Sequence, residues 1–173
     1  MKNIKDLTLT ALLTAFICIT SLISINVFGI PFSFALFGVF LSGMILKPFY
    51  ATFSNVAYIL IGVAGIPVFS GFTNGLGTLF GPSGGFVISY PLVAIIISLA
   101  TIKFGYSIKR QIVYCMIALV ICYAFGTTWY SIIYQCDLFA ALLVCVVPFI
   151  FLDFFKIVFS CYTYKLIRKY IKK

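Results

Sequence analysis

Six apolar stretches, separated by turns that hold nearly all the basic residues, constrain this chain more than any other feature of its sequence. They fall at about 7–25, 33–46, 49–64, 86–102, 111–133 and 150–168. A helix that crosses a bilayer needs about 20 mostly apolar residues, so each stretch is a candidate span. Only 9% of the 173 residues are charged, 64% are hydrophobic and the mean hydropathy is +1.22. A water-soluble domain carries about a quarter charged residues, because its surface must be solvated. The predicted fold class is therefore an all-α integral membrane protein, with residues 1–173 forming a single transmembrane helical bundle. The first stretch follows Lys2 and Lys5 in the manner of a signal peptide, but it lacks an A-x-A-like cleavage site and is read as the first span.

Glycines and prolines mark most of the breaks: Gly29 and Pro31 after the first span, Pro48 after the second, Pro148 before the sixth. The break between the third and fourth spans is long, 65–85, and reads GIPVFSGFTNGLGTLFGPSGG. Residues 137–147 are predicted to form a short helix between Asp137 and Pro148. Lys47, Lys103, Lys109, Arg110 and the tail from Lys165 to Lys173 join Lys2 and Lys5 on one side of the bilayer. The alternate loops, 26–32, 65–85 and 134–149, hold no Lys or Arg. Eleven of the twelve basic residues thus share one side. By the positive-inside rule the expected topology has six transmembrane helices with both termini inside (N-in/C-in), and the Gly-rich loop outside.

Several function classes are disfavoured at this point. The net charge of +9 lies in small groups between apolar stretches and forms no helical stripe suited to nucleic acid. Six cysteines are scattered without metal-ligand spacing, most of them inside apolar runs where a thiol behaves as a small hydrophobe. There is no histidine, and only three acidic residues. No metal, resident cofactor or enzymatic activity is expected.

The twelfth basic residue, Lys156, stands inside the sixth span, with Asp153 three residues before it. At this spacing the two share a helical face, about 4.5 Å apart along the axis. Ionisable groups within a span are costly and usually face a bundle interior or wet cavity. The pair is either a self-neutralising packing element or a polar ligand site, and the second reading is favoured. A carboxylate beside an ammonium suits a ligand with both N–H and C=O groups, such as a cyclic urea. The Gly-rich loop adjoins the predicted mouth and can fold in as a lid. Asn74, Thr73 and Ser83 are its candidate hydrogen-bonders, with capping or turn formation as the plainer role for each alone. Tyr90 and Trp129 are candidate walls, with interface anchoring as the plainer role. Asp6 and Asp137 are expected to be solvated caps. Ala11 and Ala15 form a small-xxx-small pattern that lets another helix approach, within the bundle or from a partner.

Residues 65–85 and the Tyr90-Pro91 region after them resemble the signature of the BioY family, the biotin-specific S components of energy-coupling-factor (ECF) transporters. Gly126-Thr127-Thr128-Trp129 is similar to that family's G-T-x-W, and Pro148 to Lys156 to its P-F-x-x-x-D-x-x-K. Ala11 to Ala15 matches its A-x-x-x-A. Two departures stand out: Phe151 and Leu152 replace a common Pro-Gly, and Phe72, Thr73 and Asn74 stand where glycines are frequent. The resemblance implies high-affinity biotin capture in the cytoplasmic membrane of a prokaryote. Asp153 and Lys156 would hold the ureido ring, and Asn74 is nominated as the next contact by its chemistry and position. Release inside would need a transmembrane T component, contacted through Ala11 and Ala15, and two cytoplasmic ATPases, since this chain has no ATPase motif. Competing readings are an S component for another small vitamin, a small intramembrane enzyme, and a channel or facilitator.

Overall fold

The computed structural model describes residues 2–27 and 30–171, and side-chain surroundings for 4–25 and 32–170. Gly29, Lys172 and Lys173 lie outside the described residues. The first helix, α1 (Lys2–Leu22), stops three residues short of the expected end. An antiparallel hairpin comes next, β1 (Ser24–Val27) and β2 (Ile30–Ser33), with Ser24 opposite Ser33 and Ile25 opposite Phe32. The expectation of helix to residue 25 and then plain loop is corrected here. SINV and IPFS are rich in β-branched and aromatic residues, and Pro31 forbids helix continuation.

The helix α2 (Ala35–Ile45) is central, with every residue from Ala35 to Met44 buried. Leu46 and Lys47 are extended, as residues leading into a proline prefer, and Pro48 occupies the first turn of α3 (Pro48–Val63), where no N–H is needed. Five further helices follow: α4 (Gly75–Leu79), α5 (Gly84–Phe104), α6 (Ile108–Tyr134), α7 (Leu138–Cys145) and α8 (Ile150–Ile171). Asp137 caps α7, its Oδ2 accepting from the Phe139 N–H at 3.0 Å. Asp6 is not a cap. Its carboxylate meets the Lys47 ammonium at 2.5 Å and ties α1 to the α2–α3 turn.

Among the described residues three helices, α1, α5 and α6, are long and apolar enough to cross a membrane. The pair α7 and α8, bent by 54°, makes a fourth if taken as one span. With 11 and 16 residues, α2 and α3 reach only about 16 and 24 Å at 1.5 Å per residue. They fall short of a hydrocarbon core about 30 Å thick.

Packing follows from small residues at crossings. The α2 helix contacts α1, α3, α5 and α8, and α5 lies along α6. A Cβ on Gly126 would stand 2.2 Å from the Phe86 ring, and one on Gly85 only 2.3 Å from Trp129 Cβ. The two glycines interlock α5 with α6, so the Gly126 of G-T-x-W serves helix approach.

Candidate ligand-binding site

Basic residues collect at one pole of the bundle, and the candidate site lies toward the other. The hairpin, the 64–83 loop, and the facing ends of α5, α6, α7 and α8 surround a cavity of about 60 Å³. That is room for roughly four waters at about 15 Å³ each. Its polar floor is Asp153 and Lys156, both nearly fully buried, at 3% and 4% exposure. The segment before them turns at Val146–Phe149, and the Asp153 N–H reaches the Phe149 carbonyl at 2.8 Å, so the carboxyl stands in the first turn of α8.

Every polar atom of this pair is engaged. Lys156 Nζ donates to Asp153 Oδ1 at 2.7 Å and to the Ser33 carbonyl at 2.6 Å. It also stands 3.5 Å from the centroid of the Phe32 ring. A desolvated cation–π contact of this kind is worth about 2 kcal/mol. Tyr123, reaching across from α6, donates its hydroxyl to Asp153 Oδ2 at 2.6 Å. The carboxylate is thus held at both oxygens, and the ammonium ties the hairpin to α8. Apolar walls complete the cavity. Phe32 stacks on Phe149, centroids 5.3 Å apart and planes 3° from parallel, while Phe86 and Tyr90 close the α5 side.

The loop between α3 and α5 is folded on itself. Phe69 is buried against Tyr58, and the Gly71 N–H donates to Ser24 Oγ of the hairpin at 2.8 Å. Asn74 gives its amide to the Gly65 carbonyl at 2.7 Å, and Thr73 gives its hydroxyl to Ser70 O at 3.0 Å. Neither lines the cavity. Thr73 instead borders a second hollow of about 300 Å³ that shares Ser70 and Ser83 with the inner one. The loop is therefore the wall between the inner cavity and the exterior. Trp129 lies outside both hollows. Its Nε1–H donates to the Gly81 carbonyl at 3.0 Å and its ring stacks on Phe80, clamping the loop to α6.

Of the residues nominated from sequence, the structure brings Asp153, Lys156, Ser83 and Tyr90 together around the inner cavity. It adds Tyr123, Phe32, Phe149 and the Ser33 carbonyl, which sequence reasoning missed. Phe32 and Phe149 each follow a proline read only as a break. Phe72 occupies the left-handed region at φ 59°, beside Gly71 at φ 73°. A bulky residue there is strained by about 1–2 kcal/mol. Because Phe72 is exposed and packs little, Phe72→Gly is expected to stabilise the loop, net of the added chain entropy, by about 0.5–1 kcal/mol. Thermal unfolding measures this, and a lower melting temperature contradicts it.

The arrangement at Asp153 and Lys156 offers a carboxylate acceptor, an ammonium donor and aromatic faces in one cavity. Such a set recognises a small planar ligand carrying both N–H and C=O groups. Comparison with known proteins agrees with the sequence resemblance. The family model described as the BioY family matches residues 1–173. The biotin transporter BioY2 of Lactococcus lactis subsp. cremoris is 32% identical over 158 residues, covering 90% of this chain and 87% of its own length. The biotin transporter BioY of Thermotoga maritima is 34% identical over 154 residues, covering 89% and 90%. A crystal structure at 2.1 Å of the S-component for biotin from an ECF-type ABC transporter superposes with a TM-score of 0.88 at 26% identity, covering 97% of this chain and 93% of that one. With a family model matched from end to end, this chain belongs to the BioY family.

Proposed function

We propose that this chain captures biotin at the outer face of the cytoplasmic membrane as the S component of an ECF-type ABC importer. The observation that carries the reading is the buried Tyr123–Asp153–Lys156 cluster beneath an aromatic cavity, in a chain matched throughout by the BioY family model. The ureido carbonyl accepts from Lys156 and an ureido N–H donates to Asp153, while Phe32, Phe149 and Tyr90 enclose the apolar ring. Lys156 spends two of its three N–H donors on Asp153 and the Ser33 carbonyl, and the third is the donor offered to the ureido carbonyl. A cavity with room for about four waters is too small for a bicyclic urea, so the hairpin and loop must move apart as it enters.

The same reading assigns six spans over one bundle, with both termini and the basic pole inside. The α2 and α3 helices are the shortened spans within it. Transport itself falls to partners, a T component and cytoplasmic ATPases, and no resident cofactor is required. Ala11 and Ala15 are exposed on α1 and border a nearly wholly apolar groove of about 520 Å³ with Phe53 and Ala57 of α3. This groove is where the T component docks. Purified protein is expected to gain thermal stability with micromolar biotin and to hydrolyse no ATP alone. If biotin leaves the melting temperature unchanged while another vitamin raises it, the ligand is a different one and the architecture stands.

A further inference from the structure

A second built feature lies at the basic pole, away from the vitamin cavity. The end of α2, the end of α5 with the turn after it, and Tyr164 of α8 enclose a hollow of about 320 Å³, with Leu46 and Ile102 as apolar walls and Lys47, Tyr106 and Tyr164 as polar ones; Arg168 lies beside this lining. Arg168, one helical turn beyond Tyr164, lays its guanidinium 4.1 Å from the centroid of the Tyr106 ring. The Tyr106 and Tyr164 rings meet edge to face at 5.2 Å. Among the described residues two donor atoms here have no acceptor, the Tyr106 hydroxyl and Arg168 Nε, although the Arg168 guanidinium also bonds the Tyr164 hydroxyl. Buried donors are paired as a rule, and each exception calls for an explanation. Burial pushes the Tyr106 hydroxyl up from its ordinary pKa despite the neighbouring guanidinium, so it remains a proton donor at neutral pH.

The surroundings favour an anion. Lys103, Lys109 and Arg110 flank the turn, and the one carboxylate side chain near it among the described residues, Asp6, is engaged by Lys47. From the rim of the hollow, Leu99 and Ile102 lie exposed one turn apart on α5, a path for acyl chains. Basic pockets between membrane helices on the cytoplasmic side bind lipid headgroups of this charge. We propose that Arg168 and Tyr106 form a phosphate-binding site at the cytoplasmic rim, filled by the headgroup phosphate of an anionic phospholipid. The phosphate oxygen sits between the tyrosine hydroxyl and Nε after a small shift of the flexible arginine side chain. The proposal rests on the six-span reading above but not on the identity of the vitamin.

Native mass spectrometry of the full chain tests it without biotin. The protein is released from micelles holding equal amounts of phosphatidylglycerol and phosphatidylcholine, and in a second arm from phosphatidylcholine with millimolar inorganic phosphate. Preferential retention of phosphatidylglycerol by about tenfold is expected from the local charge. Tyr106→Phe, which keeps the ring beneath the guanidinium, reduces that preference, Arg168→Gln removes it, and Lys165→Gln, exposed on the same helix, keeps it. A phosphate adduct in the second arm, with no lipid preference in the first, assigns the site to free phosphate. No preference in either arm, or full preference in both Tyr106→Phe and Arg168→Gln, overturns the site. Biotin binding by these variants stays at the wild-type level, so the two sites fail or stand separately.

Discussion

Lys156→Met is expected to weaken biotin binding by at least about 10- to 100-fold, the equivalent of one charge-assisted hydrogen bond worth about 1.5–3 kcal/mol. Asp153→Asn should lose a similar amount through the weaker acceptor. Both variants should also be less stable without ligand. Each leaves one buried charge without its partner, a situation that costs about 3–5 kcal/mol. Loss of binding in either single variant therefore fails to separate a ligand site from a structural ion pair.

The double variant Asp153→Asn with Lys156→Met separates them. Both charges are gone, the volume is nearly kept, and the uncompensated ion disappears. Replacing a buried pair by neutral residues of similar size is often neutral for stability. The double variant should therefore recover most of the stability lost by either single one, yet still fail to bind biotin. Thermal unfolding with and without biotin, together with calorimetric titration, reads both quantities. If the recovered double variant binds biotin at the wild-type level, the pair is structural and the site lies elsewhere. Tyr123→Phe adds a graded check. It removes only the 2.6 Å bond to Asp153 Oδ2, and its expected loss is about tenfold.

These residues differ in how visible they were before folding. Lys156 stood out because every other basic residue lies at the edge of an apolar stretch or beyond it, and Asp153 followed from helical spacing alone. Tyr123 carried no such mark. It is one of eleven tyrosines, and only the crossing of α6 with α8 aims its hydroxyl at the carboxylate. The Ser33 contact is a backbone carbonyl, which side-chain chemistry cannot flag. The hairpin that carries it was readable in the β-branched residues flanking Pro31, yet apolar continuity from residue 7 outweighed them. Asn74 and Trp129, one nominated as a hydrogen-bonder and the other as a wall, both turn their N–H groups to internal acceptors, the carbonyls of Gly65 and Gly81 in a loop with few regular hydrogen bonds of its own. A long glycine-rich loop leaves backbone groups unpaired, and the first polar side chains within reach are drawn to satisfy them.

Ala11→Trp combined with Ala15→Trp is expected to abolish biotin uptake and co-purification of the T component, while biotin binding by the isolated chain stays within about twofold of wild type, a change near the 0.5 kcal/mol scatter of surface substitutions. The expectation follows from where the two alanines point. Both are exposed, one turn apart on α1, and their groove shares no residue with the vitamin cavity. Thr14, at the base of the same groove, is buried and bonded to Ser54 of α3, so that side of the helix is already committed to the bundle. Between membrane helices there is little hydrophobic driving force, because lipid tails are as apolar as the side chains they replace. Association then depends on backbones approaching closely, which small side chains allow and two indoles prevent. Ala11→Gly with Ala15→Gly should accordingly retain uptake, since approach is preserved, although each glycine weakens the helix by about 1 kcal/mol. Full co-purification with the double tryptophan variant would place the docking surface on another face of the bundle. A collapse of biotin binding in that variant would instead mean that the groove and the cavity are coupled through α1, against the separation of the two sites.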